Sequence, residues 1–137
     1  MYKKKFNQSY YTKRHSCFLL TYHLVLVTKF RHPVLNDEVK ETVYDTVKAI
    51  LKEKGLNLIS INGKEDHIHI LFEAGPEVQL LELINVIKTK TARFARRDHA
   101  ELLSKYYWKP YFWTDSYFVS TVGNSTKQVI QEYIDNQ

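Results

Sequence analysis

The run His67-Ile68-His69-Ile70-Leu71-Phe72 constrains this chain more than any other segment. It is apolar but carries imidazoles at alternate positions. Successive side chains of a β-strand point to opposite faces. A strand here turns Ile68, Ile70 and Phe72 towards a core and puts His67 and His69 together on the other face. Two neighbouring imidazoles on a rigid strand are half of a metal site, so the other half must be sought elsewhere in the chain.

The flanking segments set the fold. Cys17 to Lys29 is rich in Leu, Val, Thr and Tyr and reads as a first strand. Phe30-Arg31-His32-Pro33 ends it, because proline cannot donate to a ladder. Asn36 or Asp37 can cap a helix, Val39, Val43, Val47 and Ile50 recur at helical spacing, and Gly55 stops it. Leu56 to Ile61 reads as a second strand, and Asn62-Gly63 is a turn signal. His67 to Ala74 is the third strand, ended by Gly75-Pro76. Leu80, Leu83, Ile84, Ile87 and Phe94 give a second helix its apolar stripe. A short helical piece and an aromatic cluster, Tyr106 to Trp113, come next. Tyr117 to Val122 reads as a fourth strand, Gly123 breaks it, Asn124 or Ser125 caps, and a last helix follows. The order β-α-β-β-α-β-α predicts an α+β, ferredoxin-like (RRM-like) fold. It has a four-stranded antiparallel sheet, helices on one face and an extra C-terminal helix.

A length of 137 residues and a hydrophobic fraction of 44% fit one domain with one core. Residues 1–16 are basic, with Lys3, Lys4, Lys5, Lys13 and Arg14 and no acid, and are expected to form a flexible arm before a single domain, 17–137. A net charge of +5 and a pI near 9.2 lean towards an acidic partner such as nucleic acid. With ten tyrosines and 14% aromatics, the chain suits unpaired bases, which stack on rings. The single cysteine, Cys17, allows no internal disulfide and points to a reducing compartment. No segment is apolar enough to span a bilayer, and no long apolar stretch follows the basic N-terminus. The expected location is the cytoplasm, away from membranes.

The C-terminal segment can supply the missing half of the site. Tyr133 and Gln137 lie one helical turn apart on one face, while Ile130 and Ile134 form an anchoring stripe. The bland alternative is a packing tyrosine and a frayed terminal glutamine. Two imidazoles and an amide oxygen make a neutral three-ligand set with open positions, too poor in thiolate and carboxylate for structural zinc. Water and phosphate oxygens in those positions suit Mg²⁺ or Mn²⁺. Such a metal stabilises charge on a phosphodiester, and a nearby tyrosine can attack phosphorus. Lys90, Arg93 and Arg97 fall at helical spacing, and Lys29 and Arg31 flank the first turn, so all five are candidate phosphate contacts. Asp66, beside His67, is either a turn residue or an acceptor for the imidazole.

His67-Ile68-His69, the stretch Trp113-Thr-Asp-Ser-Tyr-Phe-Val-Ser-Thr-Val-Gly123 and Tyr133-Ile-Asp-Asn-Gln137 together resemble the single-tyrosine HUH transposases of the smallest insertion sequences, which move as single-stranded DNA. Tyr22 to Leu35 also resembles that family's first strand and turn. The resemblance covers nearly the whole chain beyond the arm. It implies that His67, His69 and Gln137 bind a divalent metal. It implies that Tyr133 is the nucleophile, leaving a 5′-phosphotyrosine and a free 3′-hydroxyl. It further implies a homodimer with active sites shared between subunits, Gly123 as a hinge between two placements of the last helix, and a DNA partner with imperfect hairpins at the element ends.

Rival classes fare worse. A histidine-triad enzyme needs a third His at position 71, which is Leu. Phosphodiesterases with two His-x-Ser/Thr motifs fail because neither copy is present. A non-catalytic module binding single-stranded RNA or DNA would stack bases on aromatics of the sheet face. The third strand offers His67, His69, Leu71 and Glu73 there instead.

Overall fold

The structure is a computed structural model, and it describes residues 11–13, 16–18, 20–121 and 127–137. In chain order the elements are β1 (Tyr11–Lys13), β2 (Ser16–Phe18), β3 (Leu20–Val27), a short 3₁₀ turn (Lys29–Arg31), α1 (Asp37–Glu53), β4 (Asn57–Gly63), β5 (His67–Ala74), α2 (Leu80–Asp98), α3 (Ala100–Ser104), β6 (Phe118–Thr121) and α4 (Lys127–Asp135). The main sheet is antiparallel throughout, in the order β4-β5-β3-β6. This is the expected ferredoxin-like α+β plan.

Alternation in the two central strands builds two unequal cores. Leu24 and Leu26 of β3 and Ile68, Ile70 and Phe72 of β5 are fully buried against α1 and α2. Each such side chain contributes roughly 1.5–3 kcal/mol. The opposite face carries a small core, in which Val25 and Val27 meet Ile130 and Ile134 of α4, with Phe118 and Tyr133 partly buried beside them. So α1 and α2 share one face, and the extra helix covers the other. β5 meets β3 with His67 opposite Val27 and His69 opposite Val25, which places both imidazoles on the α4 side.

Local chemistry explains the element ends. Asn36 caps α1, its side chain accepting from the Val39 amide at 2.9 Å. Gly55 follows the helix with φ 70°, a conformation open to glycine. Asn62-Gly63 does not form the expected turn. Both stay in β4, with Gly63 opposite Ile68, and the chain reverses at 64–66. Gly63 serves close approach instead, since a Cβ there would collide with the His67 carbonyl oxygen.

The first sheet strand begins at Leu20 rather than Cys17, because Ser16–Phe18 pairs with Tyr11–Lys13 in a separate hairpin. That hairpin occupies part of the expected arm, and residues 1–10, 14 and 15 lie outside the described residues. The fourth strand is shorter than expected, Phe118–Thr121. Gly123, Asn124 and Ser125 lie outside the described residues. Among the described residues no helix is long and apolar enough to cross a membrane.

Candidate active site

The site is built on the small-core face. His67 is buried and His69 half-buried. Their rings are 5.0 Å apart, centroid to centroid, and nearly perpendicular at 80°. Each has its Nδ1 engaged. His67 Nδ1 lies 2.7 Å from Asp66 Oδ1, and His69 Nδ1 lies 3.0 Å from His23 Nε2. A carboxylate accepts only, so His67 donates from Nδ1, and Nε2 is the ring atom left to ligate. The same tautomer of His69, donating to His23, leaves its Nε2 free to ligate. Burial, with the neighbouring His67, His23 and Lys64 charges, lowers the His69 pKa to about 4. It is therefore neutral near pH 7, the form a metal needs.

Asp66 is a partner of the imidazole and a fixed part of the turn at once. Its backbone carbonyl accepts from the Thr28 amide at 2.9 Å. Its Oδ2 accepts from Arg31 Nε at 3.2 Å. Burial raises its pKa, but hydrogen bonds and charge from His67 and Arg31 outweigh this and hold it below the ordinary carboxylate value. Arg31 also approaches Asp135 of α4, with Nη1 3.8 Å from Oδ1. One guanidinium thus links the start of β5 to the last helix.

Tyr133 lies on α4, but the helix ends at Asp135 and Gln137 follows two residues beyond it, so a single helix face does not carry both as expected; a third residue brings their side chains together. The Tyr133 hydroxyl lies 2.7 Å from Ser116 Oγ, which donates to Gln137 Oε1 at 2.8 Å. With the serine proton used there, the phenol donates to serine. Gln137 Nε2 donates to the Tyr133 carbonyl at 2.9 Å, which fixes the amide. Burial raises the Tyr133 pKa despite the Ser116 hydrogen bond, so the phenol needs help to ionise. Lys88 Nζ holds the Ser116 segment in place, donating to the Thr114 and Asp115 carbonyls at 2.9 and 3.0 Å.

Both halves therefore lie on one sheet face. Among the described residues, no hydrogen bond joins the imidazoles to Tyr133 or Gln137. Nor does any group of three His, Cys, Asp or Glu make a ready metal cluster there. Two imidazole Nε2 atoms and an amide oxygen are a donor set of the kind that fits a divalent cation with open positions.

The candidate phosphate contacts divide by face. Lys29 and Arg31 sit at the turn beside Asp66, Lys29 reaching Asp115 at 3.6 Å. Lys90, Arg93 and Arg97 lie on α2, whose buried residues belong to the core on the other side of the sheet. Arg97 pairs with Asp98 at 2.6 Å and stacks on Phe94. Lys90 and Arg93 line an open groove of about 620 Å³ along α2 with Leu81 and Asn85. Reading the sequence alone missed His23 and Ser116. His23 shares a face with Val25 by strand alternation, but only the β3–β5 register brings it to His69. Ser116 carries no local signal, since its partners are 17 and 21 residues away.

Comparison with known proteins supplies the class of the chain, that of the small DNA transposases. The family model described as "Transposase IS200 like" matches residues 16–137. The ISDra2 transposase TnpA of Deinococcus radiodurans is 32% identical over 120 residues, covering 88% of this chain and 85% of that protein. A crystal structure assigned as a transposase of Deinococcus radiodurans R1 superposes with a TM-score of 0.84 at 33% identity, covering 92% of this chain and 96% of that one. The REP-associated tyrosine transposase, solved bound to a REP hairpin, shares the fold with a TM-score of 0.56 at 9% identity, covering 97% of this chain and 69% of that one. The chain belongs to the IS200-like transposase family.

Proposed function

We propose that this transposase cleaves and rejoins single-stranded DNA at insertion-sequence ends through a 5′-phosphotyrosine on Tyr133, with His67, His69 and Gln137 holding Mg²⁺ or Mn²⁺. One observation carries this: two imidazoles with engaged Nδ1 atoms share a sheet face with α4, which carries Tyr133 and leads into Gln137. When bound, the cation would draw charge from the scissile phosphate.

Every other step falls to the chain. The Tyr133 oxygen attacks phosphorus, and its P–O bond forms as the bond to the 3′ oxygen breaks. The departing 3′ oxygen takes up a proton. Later a 3′-hydroxyl attacks the phosphotyrosine and returns the phenol. One phosphodiester replaces another, so no nucleotide cofactor is consumed. Gln137 would hold the cation through Oε1, which now accepts from Ser116. With that acceptor occupied, the Ser116 hydroxyl would be free to donate to the tyrosine oxygen and favour its ionised form.

The proposed partner is single-stranded DNA with an imperfect hairpin near each element end. The proposed assembly is a homodimer that shares its active sites, with Gly123 as hinge. The test uses hairpin-bearing DNA from the flanks of the chain's own coding sequence, with Mg²⁺ or Mn²⁺, on a denaturing gel. A covalent adduct that requires metal and is lost in Tyr133→Phe is expected. Binding without any adduct would leave only a nucleic-acid-binding module. In the same assay, mixing a His67→Ala, His69→Ala subunit with a Tyr133→Phe subunit should restore adduct if sites are shared. No restoration would leave each subunit with its own site.

A further inference from the structure

We infer that Phe30 is a stacking site for one unpaired nucleobase of single-stranded DNA, beside the proposed cleavage site, an assignment that rests on the function proposed above. The first observation is backbone strain. Phe30 has φ 60° and ψ 16°, and Arg31 has φ 54°. Two consecutive non-glycine residues in the left-handed region are costly and persist only where surroundings enforce them. The effect here is specific. The turn sends Arg31 inward to Asp66 and lifts the Phe30 ring out to 61% exposure.

The second observation is the setting of that ring. Phe30 belongs to neither core. Tyr111 and His32 meet it edge-on, at 5.8 and 5.7 Å between centroids, and so prop it upright. The Lys29 ammonium lies 5.4 Å from the Phe30 centroid and 5.1 Å from that of Tyr111. Tyr107, buried beneath, donates to the Lys29 carbonyl at 2.7 Å and ties the turn down. A held, exposed ring with a cation beside it matches a base carrying a phosphate. Asp66 accepts from both Arg31 and His67, so the turn that carries Phe30 adjoins the first imidazole.

The test is a double cycle. The probe is a hairpin with an unpaired flank, from DNA bordering the chain's own coding sequence, in which each unpaired position is made abasic in turn. Phe30→Leu keeps an apolar side chain at an exposed position but removes the ring. It should weaken binding roughly five- to a hundred-fold, and Phe30→Trp should restore it. At one position the abasic change should weaken binding by wild-type protein but not by Phe30→Leu. Losses that simply multiply at every position would overturn the assignment. So would unchanged binding by Phe30→Leu, or loss only of self-association. If the wild-type protein neither binds the probe nor forms adduct, the proposed function itself fails, a different result from failure at Phe30 alone. Should Phe30→Leu misfold, the abasic series on wild-type protein decides: no sensitive unpaired position overturns the stacking site.

Discussion

At the residue scale, Asp66 has the most to answer for. It accepts from His67 Nδ1 and from Arg31 Nε, so it orients one proposed ligand and anchors the turn that carries another group. Removing such a partner typically weakens metal binding about 10- to 100-fold. Asp66→Ala should do so in a calorimetric Mn²⁺ titration, and Asp66→Asn should fall between. An unchanged affinity would reduce Asp66 to a turn residue. A pH effect follows from His69, whose pKa burial lowers to about 4. An imidazole that stays neutral when folded takes up a proton on unfolding at a higher pH. Stability of the metal-free protein is therefore complete above about pH 6.5 and declines towards pH 4. Urea midpoints in chelator should fall between about pH 7 and about pH 5, and His69→Leu should flatten part of that fall. His67 and His69 were readable because strand alternation is local. His23 and Ser116 were not, because their partners depend on register and on long-range packing.

At the element scale, what was legible is what local stereochemistry decides. Helix α1 has a side-chain cap, an apolar stripe and a glycine at its end, and all three could be read from sequence. Asn36→Ala should cost about 1 kcal/mol in urea unfolding, because the Val39 amide loses its acceptor. A cost near zero would mean that water replaces the cap. The Asn62-Gly63 signal misled because glycine has two uses. Here it admits the His67 carbonyl across the ladder rather than a left-handed turn. The aromatic run likewise split by position. Tyr107, Phe112 and Trp113 are buried, with Trp113 Nε1 donating to Thr91 Oγ1 at 2.8 Å, while Trp108 is 84% exposed. Nothing in the composition of that run separates these cases.

At the scale of the whole molecule, the sheet separates the large core from the proposed site. The large core lies between the sheet and α1 and α2, whereas α4 rests on Val25 and Val27 through Ile130 and Ile134. A helix of nine residues has little stability of its own, so this small contact sets its occupancy. Ile134→Ala removes a side chain that is 2% exposed, a change worth about 2–5 kcal/mol in a core. It should release α4 without unfolding the sheet. Amide exchange should then quicken in 127–135 while α1 and α2 stay protected, and adduct formation should fall. Equal loss of protection everywhere would show one cooperative unit instead. Sequence periodicity made both helix layers legible in outline, but which face each covers emerged only from the strand register.

The Val25–Ile134 seam also has a consequence for lineages of this gene. Damage to the large core should unfold the protein, whereas damage under α4 should leave a folded chain with its proposed nucleophile, Tyr133, out of place. Copies that have lost mobility but still bind DNA should therefore carry their first lesions in this seam. If the proposed function holds, such copies would compete for element ends and restrain the active ones, making this small seam a source of natural repressors.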